Sequence, residues 1–177
     1  MKRLAIVVAL VLVPAAAGSQ EGTSVCEDST RLARLARIDA SPDAAMIRTQ
    51  SNVWCAAKET APALTWPNKQ NARLPSGAWN YPSGRSARTS GGVWKYAGGG
   101  TARTSSGVWS YPDGRTAKFE SGRWQRPDGK SATESELLSW ACERLGEGRC
   151  RRSLTEIGAL SGFDKELAMI ELAWAAR

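Results

Sequence analysis

The feature that most constrains this chain is a fifteen-residue repeat in its central part. Residues 71–130 divide into four blocks that keep alanine, glycine and tryptophan at fixed positions: NARLPSGAWNYPSGR, SARTSGGVWKYAGGG, TARTSSGVWSYPDGR and TAKFESGRWQRPDGK. A partial unit, LTWPNKQNA at 64–72, precedes them, and SAT at 131–133 begins another. Dense matches that decay in the terminal units are typical of repeat arrays. We therefore expect one small structural unit that recurs along the array.

Each unit carries two turn signals. In the segment YPDGR at 111–115, proline presets φ, the aspartate bonds back to the backbone, and glycine adopts the left-handed conformation. The second turn falls at Ser-Ser-Gly, 105–107, and the segments between turns are rich in strand formers. Hairpins joined by two-residue turns would give an even period, so an odd period needs an odd number of extra residues. A three-residue turn that closes on a glycine bulge adds one residue. We therefore predict one bulged turn per unit, at Pro-Asp-Gly, and all tryptophans on one face.

This turn sets a register for the two strands around it. Tyr111 would pair with Arg115, and Trp109 with Ala117, because residues facing each other across a turn share a face. Ala117 would also face Trp124 across the second turn, so that each alanine lies between two indoles. One face would carry Trp109, Tyr111, Arg115 and Ala117, and the other Val108, Ser110, Thr116 and Lys118.

The aromatic face has two interpretations. A sheet has to bury one face, and aromatic side chains dominate such burial, so the rings can form the core. An exposed row of rings can instead bind a sugar or another polymer. In either case Tyr81–Arg85 and Tyr111–Arg115 can form cation–π pairs. The candidate ligand-binding residues are Trp79, Tyr81, Arg85, Trp94, Tyr96, Trp109, Tyr111, Arg115 and Trp124.

The N-terminal segment predicts export. Two positive charges, an apolar run at 4–13 and an Ala-Ala-Ala site at 15–17 are the three parts of a secretory signal. The apolar run is shorter than the roughly 20 residues that a membrane-spanning helix needs. We expect a signal peptide at 1–18, no membrane span after its cleavage, and a secreted or periplasmic protein.

The cysteine pattern fits an oxidising compartment. Cys26, Cys55, Cys142 and Cys150 are four in number, and an even count in an exported chain indicates disulfides, with three possible pairings. We favour Cys26–Cys55 and Cys142–Cys150, because each pair then lies in one flank of the repeats. The chain has no histidine and no Cys-x-x-Cys pair, so we expect neither a metal site nor a cofactor.

Both flanks carry helix signals. Ser24-x-x-Glu27 is a capping box, and Ser41-Pro42 predicts the start of a second helix that runs to about Ala57. This second helix would direct Met46, Ile47 and Trp54 inward. After the repeats, helix starts are predicted at Thr133-x-x-Glu136, Ser153-x-x-Glu156 and Asp164.

The expected fold class is α+β. An antiparallel β-meander of about four to five fifteen-residue hairpin repeats is flanked by N- and C-terminal helices, which cover the sheet because one layer cannot form a core. The expected divisions are a signal peptide at 1–18, an N-terminal helical flank at 19–60, a β-hairpin repeat array at 61–133 and a C-terminal helical flank at 134–177.

The unit W-x-Y-P-[DS]-G-R, within residues 64–133, resembles the hairpin repeats of bacterial MORN-like proteins. It is also similar to the aromatic hairpin repeats of choline- and glucan-binding cell-wall proteins. The resemblance implies a non-catalytic interaction scaffold built on a meandering sheet. Its binding residues, position by position, would be Trp79, Trp94, Trp109, Trp124, Tyr81, Tyr96 and Tyr111.

Charge and missing motifs narrow the function. Residues 71–133 hold ten Lys and Arg against three acids, which equals the whole net charge of +7. The sequence lacks histidine, a G-x-S-x-G motif and a phosphate loop, so we expect no enzyme.

We expect an exported module that binds an anionic or carbohydrate polymer at the cell envelope. The alternative is a structural or protein-interaction domain with the rings buried under the helices and a sheet edge that pairs with another chain. Arginines and aromatics would also suit a nucleic acid, but the export signal argues against that partner.

Overall fold

The computed structural model describes residues 24–88, 94–97, 100–103, 107–119 and 121–177. Within these ranges the chain forms five α-helices and eight short strands in two antiparallel four-stranded sheets. The α+β class predicted from the sequence is therefore confirmed. The signal peptide expected at 1–18 lies outside the described residues.

Two helices precede the strands and three follow them. The helices are α1 (Val25–Ile38), α2 (Ala44–Ala57), α3 (Glu134–Leu145), α4 (Glu147–Gly158) and α5 (Gly162–Ala175). The strands are β1 (Leu64–Thr65), β2 (Asn71–Arg73), β3 (Trp79–Asn80), β4 (Ser86–Arg88), β5 (Trp109–Ser110), β6 (Thr116–Lys118), β7 (Trp124–Gln125) and β8 (Ser131–Ala132). Strands that follow each other along the chain are neighbours in each sheet, in the orders β1-β2-β3-β4 and β5-β6-β7-β8.

Both turns of the unit contain a glycine bulge. At the Pro-Asp-Gly turn, the Gly114 N–H donates to the Tyr111 carbonyl (2.9 Å), and the Tyr111 N–H donates to the Arg115 carbonyl (2.8 Å). At the second, Gly122 and Phe119 repeat this pattern, with the Gly122 N–H 3.1 Å from the Phe119 carbonyl. The two glycines have φ of 85° and 78°, the left-handed region that other residues avoid. The prediction of one bulged turn per unit is therefore wrong.

A third irregularity sits at the recurrent alanine. Ser110 pairs with Thr116, yet Trp109 pairs with Lys118, so Ala117 is an extra residue in its strand. The same register shift occurs opposite Leu64 and Trp79 in the first sheet. The predicted pairing of Trp109 with Ala117 is thus wrong, and so is that of Ala117 with Trp124, because Lys118 pairs with Trp124.

These three insertions explain the period. Two bulged turns and one alanine bulge add an odd number of residues, as the odd period requires. Two bulged turns alone would place successive tryptophans on alternate faces of the sheet, and the alanine bulge returns them to one face. The tryptophans of all four blocks are consequently on one face and buried: Trp79, Trp94, Trp109 and Trp124. The bulge also turns the Lys118 side chain towards this face, where its Nζ lies 5.1 Å from the Trp124 ring centroid. The prediction that Lys118 lies on the opposite face, with Ser110, is therefore wrong.

The helices cover the tryptophan face. Helix α1 contacts α2, α4 and α5, and α3 contacts α4 and α5, so the two flanks form one layer. Trp54 of α2 packs 5.0 Å from Trp66 between ring centroids. From α5, Phe163 packs 4.8 Å from Trp109. Every residue of α5 from Leu167 to Ala173 is buried, as expected of a helical segment that is covered on every side.

Three of the predicted helix starts agree with the structure to within a few residues. The Ser24 hydroxyl accepts from the Glu27 N–H (3.1 Å) at the start of α1, and Thr133 and Glu136 form the predicted capping box of α3. Helix α2 begins at Ala44 with Asp43 in the N-cap position. Ile47 and Trp54 of α2 are buried as predicted, but Met46 is 40% exposed.

Two predicted starts are wrong. Gly146 ends α3 and also occupies the N-cap position of α4, so Ser153 lies inside α4 and is buried. Helix α5 begins at Gly162, which places Asp164 in its first turn instead of at its cap. The Asp164 carboxylate instead forms an ion pair with the Arg31 guanidinium of α1 (2.9 Å).

Both favoured disulfides are present. Cys26–Cys55 joins α1 to α2, and Cys142–Cys150 joins α3 to α4. Each bond links two helices of the same flank. Across the described ranges, none of the helices combines the length and the apolar character needed to cross a bilayer.

Candidate functional site

The aromatic face of the repeats is the core of the protein. The four repeat tryptophans are at most 2% exposed, and the three tyrosines at most 4%. Burial of large rings under a helical layer is what the core interpretation requires. The ligand role predicted for Trp79, Tyr81, Trp94, Tyr96, Trp109, Tyr111 and Trp124 has no exposed ring surface to act through in this fold.

The helices supply hydrogen-bond acceptors to these rings. The Trp109 indole N–H donates to Glu166 of α5 (2.6 Å), and the Trp79 indole N–H donates to Asp28 of α1 (3.4 Å). The buried ring N–H groups thereby avoid the cost of an unsatisfied donor. The rings are thus fixed in orientation as well as buried.

A second set of bonds ties three of the units to the unit that follows. The Tyr96 hydroxyl donates to the Ser110 carbonyl (2.7 Å), and the Tyr111 hydroxyl donates to the Gln125 carbonyl. Trp66, at the equivalent position of the first partial unit, donates to Asn80 (3.2 Å). Because each of these acceptors lies in the following unit, the aromatic residue at this position of the repeat links neighbouring units.

The cation–π contacts lie on other residues than those predicted. The position after the bulged alanine stacks on the next tryptophan, with 5.6 Å from the Arg103 guanidinium carbon to the Trp109 ring centroid. The corresponding distance from Arg73 to Trp79 is 5.8 Å. Arg115 instead bonds the Asp113 carboxylate (2.5 Å), outside the core. In both predicted pairs the tyrosine N–H donates to the arginine carbonyl, but the arginine side chain is exposed while the ring is buried. The alanine bulge instead turns the residue that follows the alanine towards a ring.

Two acids lie beside the tyrosines, of which Glu171 is buried and Asp39 is half-buried. Burial raises the pKa of Asp39 to about 6, although its carboxylate accepts from the Ser41 N–H and the Tyr81 hydroxyl. Burial also raises the pKa of Glu171 well above its usual value, with the charge of Asp39 adding to the effect. The Trp94 indole N–H faces Glu171 without the geometry of a full hydrogen bond. In both acids, desolvation therefore favours the neutral form.

The opposite face of the strands is polar in every unit. Five cross-strand pairs lie there, each directly beside a buried residue of the core face, so they point to the other side. The pairs, named here the polar ladder, are Thr65–Asn71, Asn80–Ser86, Lys95–Thr101, Ser110–Thr116 and Gln125–Ser131. All ten side chains are exposed or half-buried.

A basic edge borders the polar ladder. The residue after the turn glycine is an exposed cation in three units, and these residues, named here the basic rim, are Arg85, Arg115 and Lys130. Arg115 extends along this edge and donates to the Pro127 carbonyl of the next unit (2.6 Å). Arg85 and Arg115, predicted as ligand-binding residues together with the rings, are therefore on the exposed surface while the rings are not.

The polar ladder was missed as a candidate site in the sequence. Its signal is present, because the residue after each tryptophan and the residue before each alanine are polar in every block. Ser110 and Thr116 were placed correctly on the face away from the rings, but the recurrence of polar residues at those positions was not used. Among the described residues, no group of three or more Cys, Asp or Glu side chains could hold a metal ion.

The fold and the surface define a class of protein. It is an α+β module whose strand repeats carry core aromatics on one face and polar pairs on the other. Comparison of the chain with protein-family models, with curated proteins and with solved structures found no match.

Proposed function

We propose that this protein is an exported, non-catalytic module that binds an acidic polysaccharide through the polar ladder and the basic rim. The observation that carries the proposal is the recurrence of one polar pair per unit on the exposed face. The two disulfides support an oxidising compartment. The binding surface is thereby assigned to the face opposite the rings.

The spacing of the polar ladder suits a polymer with a regular repeat. Like positions recur every two strands, at about 10 Å, which is close to the length of two sugar residues in an extended chain. Hydroxyl and amide groups such as Ser110, Thr116 and Gln125 both donate and accept hydrogen bonds, as sugar hydroxyls do. Contacts that repeat in register strengthen binding together although each is weak.

Charge favours an acidic polymer over a neutral one. Among the described residues of 64–132, six Lys and Arg residues are exposed against two acids, Asp113 and Asp128. The cations are Lys69, Arg85, Lys95, Arg115, Arg123 and Lys130. Guanidinium and ammonium groups bind carboxylates and sulfates well.

A structural or protein-interaction domain is the second candidate. The burial of the aromatic face beneath the helices favours it, because a ring ladder is then unavailable to a polymer. Its predicted contact, a sheet edge, would use an end strand such as β1 or β8, which are two residues long each. Such short edges offer few backbone groups for pairing with another chain.

Titration calorimetry with soluble polygalacturonate tests the polymer proposal, with dextran as the uncharged control. The variant Lys95→Gln/Lys130→Gln removes two exposed cations from the repeat surface. Its matched control, Lys58→Gln/Arg151→Gln, removes two exposed cations from the helices. We expect the first variant to weaken binding about tenfold, the second to leave it nearly unchanged, and added salt to weaken both.

Two results would count against the proposal. Equal losses in the two variants would mean that net charge alone attracts the polymer, without a specific surface. No binding by the folded wild type would leave the interaction domain as the better candidate. Tryptophan emission should not change on binding, because the rings are buried, and quenching by the polymer would place it at the rings instead.

A further inference from the structure

The helical layer carries a groove lined by arginines. A cleft of about 250 Å³ lies between the end of α1 and α4, with Arg37, Arg149 and Arg152 in its walls. A second cleft of about 160 Å³ lies between α1 and α2, with Arg34, Arg37 and Arg48 in its walls. Both clefts share Arg37 and Glu156. We name the five arginines and the space between them the arginine groove.

The sequence of the helices explains this convergence. Arg34 and Arg37 are three residues apart on α1, and Arg149 and Arg152 are three apart on α4, so each pair shares a helix face. The two disulfides join α1 to α2 and α3 to α4. The first disulfide therefore holds α1 against α2, and the ion pairs of Glu156 with Arg34 and Arg37 link α4 to α1. Walls that are in place before any ligand binds lower the entropic cost of binding.

The charges of the groove are not balanced. Glu156 pairs with two arginines, since one carboxylate oxygen lies 3.4 Å from the Arg34 guanidinium and the other contacts Arg37. Arg149 donates to the Ile38 carbonyl at the end of α1 (3.4 Å), and its charge acts on Asp39 nearby.

Two guanidiniums have no partner within the part of the chain that the structure describes. They belong to Arg48 and Arg152, which make neither an ion pair nor a side-chain hydrogen bond there. The two clefts are lined by five cations and one acid, Glu156, while Asp39 lies near Arg149. Guanidinium groups of like charge repel one another, and an anion between them relieves that repulsion.

We propose that the arginine groove binds a compact anion with at least two oxyanion groups, either phosphates or carboxylates. The planar guanidinium fork matches both groups with two parallel hydrogen bonds. The site lies on the helical layer, whereas the polar ladder lies on the strands. The groove can therefore be present whether or not the strands bind a polymer.

Titration calorimetry with inorganic pyrophosphate and with citrate, at low salt, tests the proposal. Arg152→Gln should weaken binding of at least one probe about tenfold, because it removes a charged hydrogen-bond donor. Arg151→Gln is the matched control, since Arg151 is the next residue of α4, is exposed and pairs with Glu147 outside the groove. It removes the same charge and should leave the affinity within about twofold of wild type.

Glu156→Gln provides a test in the opposite direction. It frees Arg34 and Arg37 from their shared acid, and we expect it to strengthen anion binding about tenfold. A merely structural role for Glu156 would lower the unfolding temperature without raising the affinity. If this variant does not fold, Arg48→Gln replaces it, with a loss of affinity expected as for Arg152→Gln.

Competition separates the two sources of such an anion. Polygalacturonate that displaces citrate from the wild type would indicate that the groove takes the carboxylates of a polymer. Failure to displace it would indicate a free small anion. No binding of either probe, or equal losses in Arg151→Gln and Arg152→Gln, would overturn the proposal.

Discussion

The two disulfides should stabilise the fold by unequal amounts. Each bond acts mainly by restricting the unfolded chain, and the restriction grows with the length of the closed loop. The sequence separations are 29 residues for Cys26–Cys55 and 8 for Cys142–Cys150. The chain-entropy relation gives about 3.5 kcal/mol for the longer loop and about 2.5 kcal/mol for the shorter one.

Together these contributions are comparable with the stability of a whole domain. Their sum of about 6 kcal/mol stands against a typical free energy of unfolding of about 5–15 kcal/mol. The reduced protein should therefore unfold at a much lower denaturant concentration than the oxidised one. Such a dependence would suit an oxidising compartment, because cytosolic conditions keep thiols reduced.

Guanidinium unfolding at pH 7, followed by circular dichroism, measures both contributions. The variants are Cys26→Ala/Cys55→Ala and Cys142→Ala/Cys150→Ala, compared with each other and with reduced wild type. We expect the first pair to lose about 1 kcal/mol more stability than the second. A larger loss for the short loop, or no loss on reduction of the wild type, would refute the loop-entropy reasoning.

Two further predictions concern the core. Ala117→Val adds volume at a fully buried bulge and should lower the free energy of unfolding by about 1–3 kcal/mol. The control variant Thr116→Val changes the neighbouring residue on the polar ladder and should change this free energy little. Equal effects of the two variants in urea unfolding would contradict the assigned faces. Burial raises the pKa of Asp39 from 3.8 to about 6, so the folded state binds a proton at this carboxyl group more tightly than the unfolded state does. The contribution of Asp39 to stability therefore falls as pH rises from 3.8 to about 6. Asp39→Asn should remove that fall, and urea unfolding at pH 4 and pH 7 compares the slopes; an unchanged slope would mean that Asp39 does not titrate between them.

The sequence predicted the repeat, its two turns and the common face of the tryptophans. Those features are set by local chemistry, such as the glycine at each turn and the alternation of side chains along a strand. The two cysteine pairs were also predicted, because each joins helices of one flank. In the same way, the capping box at Thr133 requires only residues that are close in the sequence.

The features that were missed depend on pairing between strands. The bulge at Ala117 is a property of two strands together, and no residue type demands it at that position. Its consequence, Lys118 on the tryptophan face, was therefore predicted wrongly. The start of α4 was missed for a related reason, since Gly146 serves two helices at once and the signal at Ser153 falls inside the second.

The acids of the helical layer limit how many units the protein can have. Three successive indoles, those of Trp79, Trp94 and Trp109, face Asp28, Glu171 and Glu166, each on a helix outside the array. An extra unit inserted among them would bring one more indole under the helices, and these three acids already face an indole each. Repeat arrays commonly grow by duplication of units, but here the covering helices would have to lengthen at the same time.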